Sequence, residues 1–397
     1  MRAAVIGCGV AGMAAAIALA RRGADVTLFE AFDRPQPLGS GLLLQPSGLA
    51  ALAALGLADA VLERGARVAR LDGRDLAGRH ILDMTYDQWR PGAYGLGVHR
   101  GALFEVLHAA LAPAGVALRT GCAITGLEDR ARPVLRQADG THHGPFDLAV
   151  VADGSASRLR NEVRPRARAR PYPWGAVWAN ARDPQGRFAG ALHQRYHRAS
   201  TMMGILPIGT GPGAATDQVS LFWSLPVADM DSFFQGDFPA WRARAQEIWP
   251  EAAPLLAQFA DAEAFARASY RDVAVGRWAD GACVLIGDAA HGTSPQLGQG
   301  ANLALIDAVE LADHLVPNRP VAGALARFQA ARRRQTGPYQ LASRALTPLF
   351  QSAGGLGPGI RDRVFAPLAR LPVLRRVSAI VLTGMLRLGR APKNLRP

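Results

Sequence analysis

The sequence predicts an α/β protein, in which a domain with a parallel sheet is interrupted by an antiparallel-sheet domain and followed by C-terminal helices. Three observations carry this expectation. Residues 2–30 run as apolar stretch, glycine-rich turn, alanine-rich helical stretch and second apolar stretch, which is the βαβ order of a parallel sheet. Strand, glycine-rich loop and helix recur from residue 283. Between them, 174–225 holds short aromatic-rich runs separated by turn residues, the pattern of an antiparallel sheet.

In chain order, 3–6 is a short buried strand, 10–22 a helix ended by Gly23, and 25–29 a second strand. The turn between strand and helix reads Gly7-Cys8-Gly9-Val10-Ala11-Gly12, the G-x-G-x-x-G of a Rossmann-like dinucleotide site. In such a turn Gly7 makes the tight bend, Gly9 lets a pyrophosphate approach the backbone and Gly12 lets helix and strand pack closely. The N–H groups of Val10 and Ala11 then lie at the positive end of the helix dipole. Glu30 ends the second strand, where a carboxylate binds a ribose 2′-hydroxyl; it argues for FAD or NAD here rather than a 2′-phosphorylated nucleotide.

Residues 39–57 read as an extended segment and a helix, and 66–84 alternate as a hairpin. Arg100 opens a helix over 101–111; a cation in a first turn opposes the helix dipole, so an anion should compensate it. Strands follow at 116–119 and 146–152, the second ending at Asp153-Gly154. Arg and Pro make 161–173 an exposed crossover. Strands are expected at 174–180, 192–197, 201–208, 219–225 and 266–275, with helix over 239–259. Alternation sets Leu192, Gln194 and Tyr196 against His193, Arg195 and His197, and Val219, Leu221 and Trp223 against Ser220, Phe222 and Ser224; which face lines a pocket stays open. The 283–286 strand ends at Gly287-Asp288, and the helix after the loop offers the unpaired N–H groups of Gly300, Ala301 and Asn302 to a negative charge. Asp288 suits the hydroxyls of a sugar-like chain. Residues 321–397 are helical and arginine-rich, broken at Gly337-Pro338 and over 354–359, with a nearly apolar last helix at 373–388 flanked by Arg375, Arg376, Arg387 and Arg390.

Gly287-Asp288-Ala289-Ala290-His291, then Pro295, then Gly298 to Asn302, together with the first glycine turn and Asp153-Gly154, resemble the single-component FAD-dependent aromatic monooxygenases typified by 4-hydroxybenzoate hydroxylase. The resemblance implies an FAD-binding domain over 1–65, 99–170 and 265–340, a substrate domain over 66–98 and 171–264, and a helical region over 341–397. It implies that Asp153 marks the FAD pyrophosphate, that Arg100 reaches the phosphates or ribityl chain, that Gly287 and Asp288 bind the ribityl chain, and that Gly300 to Asn302 face the flavin's pyrimidine edge. It further implies that NADH or NADPH reduces FAD, that O2 forms a C4a-hydroperoxide, and that an aromatic or other electron-rich apolar small molecule, such as a secondary metabolite, is hydroxylated. Pro295 would shape the cavity wall, Gly298 would leave room for the peroxide, and Tyr196, His193 and Arg195 are the candidates to orient the substrate. The alternative on this scaffold is an FAD-dependent oxidase or reductase of a polyprenyl or other long-chain lipophilic substrate at a membrane surface. A halogenase is excluded, since that resemblance requires a pocket lysine and a WxWxIP run. Here the lysine is Lys393, and 174–178 reads Trp-Gly-Ala-Val-Trp.

Composition closes off other classes. The 397 residues are 49% hydrophobic and 19% charged, which marks a folded chain long enough for two lobes. The net charge of +13 comes from 45 basic residues, all arginine but Lys393 and scattered along the chain, so it reads as compositional bias rather than a nucleic-acid footprint. Cys8, Cys122 and Cys283 are too far apart in sequence to suggest a disulfide framework or metal site, and a reducing cytoplasm is expected. No signal peptide is recognised at the start, and no run reaches the ~18 apolar residues of a bilayer span. A peripheral membrane contact through the last helix is the remaining membrane expectation.

Overall fold

The computed structural model describes residues 1–36, 40–163, 167–197, 199–316, 319–351 and 372–386, with side chains from 376 in the last segment. Ala3, Ala4 and Val5 are fully buried. Their strand, Arg2–Ile6, sits inside a six-stranded sheet, paired in parallel with Asp25–Phe29 on one side and Leu148–Val151 on the other. The helix Val10–Arg21 buries every residue from Gly12 to Leu19, wedged between this sheet and the helix Gly300–His314. Its alanine-rich sequence follows from that position, because small side chains let two helices and a sheet approach closely. Gly12 is the tightest point: a Cβ there would lie 1.8 Å from the Gly7 carbonyl oxygen.

Nine strands form the second sheet, in the order 266–274, 168–182, 218–226, 201–209, 190–197, 66–75, 95–99 and 41–44, with 80–85 paired to 66–75 as the expected hairpin. Because side chains alternate, register assigns its faces. Val177, Ala179, Met203, Ile205, Val219, Leu221 and Trp223 form one core with Phe238, Ala245 and Ile248 of the helix Phe238–Ile248. The other face carries Trp178, Asn180, Gly204, Ser220, Phe222 and Ser224. It turns toward the loop after Pro295 and the end of the helix Val321–Phe350, as the bonds from Ser224 to Gln351 and from Gln351 to Gln296 show.

Three expectations give way. The helix over 239–259 stops at Ile248, before Pro250, and resumes only as the short helix Ala253–Leu256. The 161–173 crossover is partly strand, since Arg168–Arg182 is continuous. The ladder slips between Pro171 and Gly175, where prolines lack the donor that regular pairing needs. Likewise, Gly337-Pro338 does not break the helix Val321–Phe350. Pro338 deprives the Arg334 carbonyl of its partner, but Arg334 is on the exposed side, and buried Arg332, Gln335, Thr336 and Tyr339 anchor the turns around it. The C-terminal helix is described over Pro372–Leu382; Gly354 to Gly359, Arg387, Arg390 and Lys393 lie outside the described residues. Ala379 and Leu382 pack with Met84, Tyr86, Leu206 and Tyr339 in a third core.

Gly12→Ala should cost about 3 kcal/mol or more, because the obstructing atom is backbone and cannot rotate away. Urea denaturation checks this; a midpoint equal to wild type would show that the helix and turn can separate without penalty.

Candidate active site

At the first glycine turn, the Met13 N–H bonds back to the Gly9 carbonyl (2.9 Å), so the N–H groups of Val10, Ala11 and Gly12 have no intrahelical acceptor. No atom lies within 4 Å of a Cβ placed at Gly9, so the space before the helix is open. Glu30 closes one side: its carboxylate accepts from the Cys8 N–H (2.8 Å) and the Phe32 N–H (3.0 Å). Those bonds hold it at the mouth of the turn, and each oxygen keeps acceptor capacity for a hydroxyl.

The second turn is built against the first. Gly287 has φ +58, and a Cβ there would lie 2.8 Å from the Ala11 Cβ and 3.5 Å from the Ala304 Cβ. Two turns separated by some 270 positions of sequence are thus in contact. Asp288 is exposed, with a carboxylate oxygen 3.7 Å from a Cβ built at Gly300. Behind it, fully buried Asp307 accepts from the Gly287 N–H (2.7 Å) and from Arg332 Nε (2.6 Å), and it pairs with His291 Nε2 (2.6 Å). Burial alone would raise the Asp307 pKa, but His291, Arg332 and the Gly287 N–H overcome it and hold it at about 2. Arg332 also reaches Gln335, the Leu303 carbonyl (3.3 Å) and Glu310 (3.5 Å).

A third loop joins them. Arg160 is 3% exposed and donates to the carbonyls of Ala289 (2.7 Å), Ser155 (2.9 Å), Gly154 (3.2 Å) and Asp288 (3.5 Å). It therefore ties Asp153-Gly154 to Gly287-Asp288. Burial pushes the Asp153 carboxyl up, and one of its oxygens is buried with no hydrogen-bond partner. An unsatisfied carboxylate oxygen beside an open helix N-terminus fits a hydroxyl- or N–H-bearing ligand. Arg100 is exposed, and its guanidinium makes no hydrogen bond or ion pair with the described residues. Burial pushes neighbouring His99 down, leaving it a neutral cap that accepts from the Gly101 N–H (3.0 Å).

In the helix Gly300–His314, Leu303 is the first N–H to bond back (Gln299 carbonyl, 2.9 Å), so those of Gly300, Ala301 and Asn302 have no intrahelical acceptor. The Asn302 side chain is already engaged: it accepts from the Gln45 N–H (2.8 Å) and donates to the carbonyls of Leu43 (3.1 Å) and Gly298 (3.0 Å). Only its backbone faces the site. Pro295 opens the 3-10 turn Pro295–Leu297, and Gly298, at φ +60, has open space where a side chain would stand.

Sheet register separates the candidates for orienting the substrate. Tyr196 is opposite Met202, on the inner face; its ring lies 5.7 Å from Phe350 and its hydroxyl donates to Gln194 (3.0 Å). His193 and Arg195 are opposite Ile205 and Met203, on the helix-covered face. There Arg195 lies over the Trp249 ring (4.5 Å) and His193 is 3.6 Å from Asp72. The strict alternation of a strand puts them on the wrong side of the sheet to meet Tyr196, and they are set aside.

Arg160, Asp307 and Arg332 were not anticipated from the sequence. Arg160 had a faint signal, an arginine three residues past Ser157 at a short helix start. Asp307 and Arg332 had none, being single polar residues in separate helices.

Residues 1–319 match the family described as the FAD binding domain. The chain is 30% identical to a 3-amino-4-hydroxybenzoate 2-monooxygenase from Streptomyces cremeus, over 91% of this chain and 90% of that protein. It is 30% identical to a 2-heptyl-3-hydroxy-4(1H)-quinolone synthase from Mycobacteroides abscessus, over 83% and 85%. Its backbone also follows that of HpxO from Klebsiella pneumoniae, solved with FAD and uric acid, with a TM-score of 0.80 at 22% identity, over 96% of this chain and 97% of that one.

Asp307→Asn removes the charge that holds this junction. The folded pKa lies below the unfolded one, so the Asp307 contribution, about 2 kcal/mol for a shift from 3.8 to about 2, is complete above pH 4 and disappears toward pH 2. Denaturant titrations should find the variant weaker near neutrality, with the gap closing through that window. A gap independent of pH would show that the carboxylate's charge is not what holds the turn.

Proposed function

This chain belongs to the single-component FAD-dependent aromatic monooxygenases, and we propose that its two glycine-bearing turns hold one FAD against the inner face of the nine-stranded sheet, where a small aromatic molecule is hydroxylated. The observation that carries this is the packing of Gly287 on Ala11, which brings two open helix N-termini into one site. Bound FAD supplies the redox chemistry, taking reducing equivalents from NADH or NADPH and delivering them to O2.

The protein's own groups bind and orient. Gly7, Gly9 and Gly12 shape the first turn, and the N–H groups of Val10 and Ala11 take the pyrophosphate with Arg100 as counter-charge. Glu30 accepts from the adenosine ribose, and Asp153 uses its unpartnered oxygen at the same end. Asp288, presented by Gly287, accepts from the ribityl hydroxyls, while the N–H groups of Gly300, Ala301 and Asn302 stabilise negative charge at the flavin's pyrimidine edge. Pro295 and Gly298 bound the reaction space, and Tyr196 lies on the sheet face that covers it. The proposed limits of the FAD domain, 1–65, 99–170 and 265–340, contain these cofactor residues. The substrate domain of 66–98 and 171–264 supplies most of the cover, strands 41–44 and 266–274 complete the same sheet, and the helical region begins at 341.

No helix among the described residues is long and apolar enough to cross a membrane. A peripheral contact is a second reading, favoured by exposed Val377 beside Arg376. Loss of liposome co-sedimentation in Arg376→Glu/Val377→Ser would support it, and no binding by the wild type would dismiss it.

Purified protein should be yellow and retain FAD through gel filtration, and Asp288→Ala should weaken that retention by roughly tenfold or more. An aromatic substrate should stimulate NAD(P)H oxidation together with O2 uptake. A colourless protein that takes up no added FAD would sink the assignment.

A further inference from the structure

The helix Pro372–Leu382 runs into a turn at 383–386 that sits against the start of the helix Gly300–His314. The turn is held through its backbone. Gln299 Nε2 donates to the Leu382 carbonyl (2.8 Å), the Ser47 N–H to the Thr383 carbonyl (3.3 Å) and Gln335 Nε2 to the Gly384 carbonyl (3.0 Å). The Leu386 N–H in turn donates to the Tyr339 hydroxyl (3.0 Å). Bonds of this kind read the path of the chain rather than its side chains, and Gly384 sets that path at φ +77. A Cβ on Gly384 would lie 2.0 Å from Ser47 Oγ and 2.9 Å from Gln299 Oε1, so there is no room for a larger residue.

The partners of this turn are the residues that frame the free N–H groups of Gly300, Ala301 and Asn302. Gln299 caps the helix, and its carbonyl takes the first intrahelical bond, from Leu303 (2.9 Å). Ser47 is two positions past Gln45, whose N–H is held by Asn302 Oδ1 (2.8 Å). Gln299 to Leu382, Thr383 to Ser47 and Gln45 to Asn302 therefore close a ring around the helix start, and Ala379 and Leu382 share a core with Leu43, Leu297 and Leu303. Gln335 extends the ring to Arg332, and so to Asp307. Stability alone does not account for this arrangement, because Ser47 Oγ and Gln299 Oε1 are buried at Gly384 without hydrogen-bond partners. Each such atom is unfavourable in a fold and calls for an explanation.

Resting on the flavin reading above, we propose that the C-terminal turn is a working part of the flavin site: it holds Gln299, a positioning residue, so that the N–H groups of Gly300, Ala301 and Asn302 meet the negative charge of reduced FAD. The field of a helix start falls off within one turn, so a small tilt of residues 300–302 changes how well it meets that charge. The Gln299 amide cannot rotate to satisfy its own oxygen without releasing the Leu382 carbonyl, and this fixes the tilt. Oxidised FAD carries no charge at its pyrimidine edge and gains less from the same groups. The turn therefore favours reduced over oxidised FAD, which raises the flavin's potential.

The test uses the FAD-loaded full chain carrying Gln299→Leu, Gly384→Ala or both. Each flavin is titrated anaerobically against a dye of known potential, and the affinity for oxidised FAD is measured separately by fluorescence. Gln299→Leu should weaken the hold on reduced FAD by roughly fivefold to tenfold more than that on oxidised FAD, which lowers the potential by roughly 20 to 30 mV. Its melting temperature should stay close to that of the wild type, because the loss of one hydrogen bond is offset by the loss of one unsatisfied oxygen. Gly384→Ala should lower the potential by a similar amount, and the double variant should fall no further than the larger single one, because both act through one contact. A purely structural role would weaken both redox forms equally and leave the potential where it was, and that result overturns the proposal. So does a double variant in which the two shifts add. Where Gly384→Ala disturbs folding, Gln299→Leu decides the matter alone. A flavoprotein whose potential is unmoved by Gln299→Leu overturns this inference and leaves the monooxygenase reading intact; a protein that retains no FAD overturns both.

Discussion

The contact everything else relies on is the one that Asp307 makes with Gly287, His291 and Arg332. A carboxylate with no solvent exposure is expensive unless its lone pairs are filled and its charge is met. Here one oxygen takes Arg332, while the other takes the Gly287 N–H and lies against His291. The result is a rigid joint between a strand end, the helix of the second glycine turn and the long helix behind it. Removing Arg332 would leave Asp307 with only His291 and the Gly287 N–H to meet it, so the joint is held as a unit rather than by any single bond. Its position matters more than its strength, because Gly287 is the residue that touches Ala11 of the first turn.

From that joint outward, the site is a set of backbone groups held open. Three loops lie together: the first glycine turn, Asp153-Gly154 and Gly287-Asp288. Arg160 spends its guanidinium on the carbonyls of the last two rather than on a ligand. Buried arginine suits this because its donors form a planar fork that can satisfy several acceptors at once. What remains unsatisfied is what a ligand must supply: the N–H groups of two helix starts and one oxygen of Asp153. Asn302 shows the same economy, with its side chain locking the 43–45 segment in place while its backbone stays available.

The nine-stranded sheet separates two environments with a single layer of backbone. One side is packed with Trp223, Trp249, Phe238 and other apolar residues against helices. The other carries Ser220, Phe222, Ser224, Gln194 and Tyr196 and turns toward the loop after Pro295 and the end of the helix Val321–Phe350.

Local order was legible wherever function imposes a local pattern. The βαβ unit, the first glycine turn, Glu30, the Gly287-Asp288 turn and the strands from 190 to 226 could be read because glycine spacing, alternation and helix starts are short-range consequences of backbone sterics. Length and hydrophobic content likewise determined that the chain is folded and large enough for two sheets. Only the tertiary structure could decide which strand face is the inner one, since alternation defines two faces but not what covers each. That choice puts Tyr196 on the inner face and His193 and Arg195 on the helix-covered one. It also decided that Gly337-Pro338 lies within a helix, because buried anchors on either side outweigh one lost hydrogen bond. Asp307, Arg160 and Arg332 stayed invisible in the sequence for one physical reason: each works through a partner distant along the chain, and a lone charged residue in an apolar helix does not announce what it will meet.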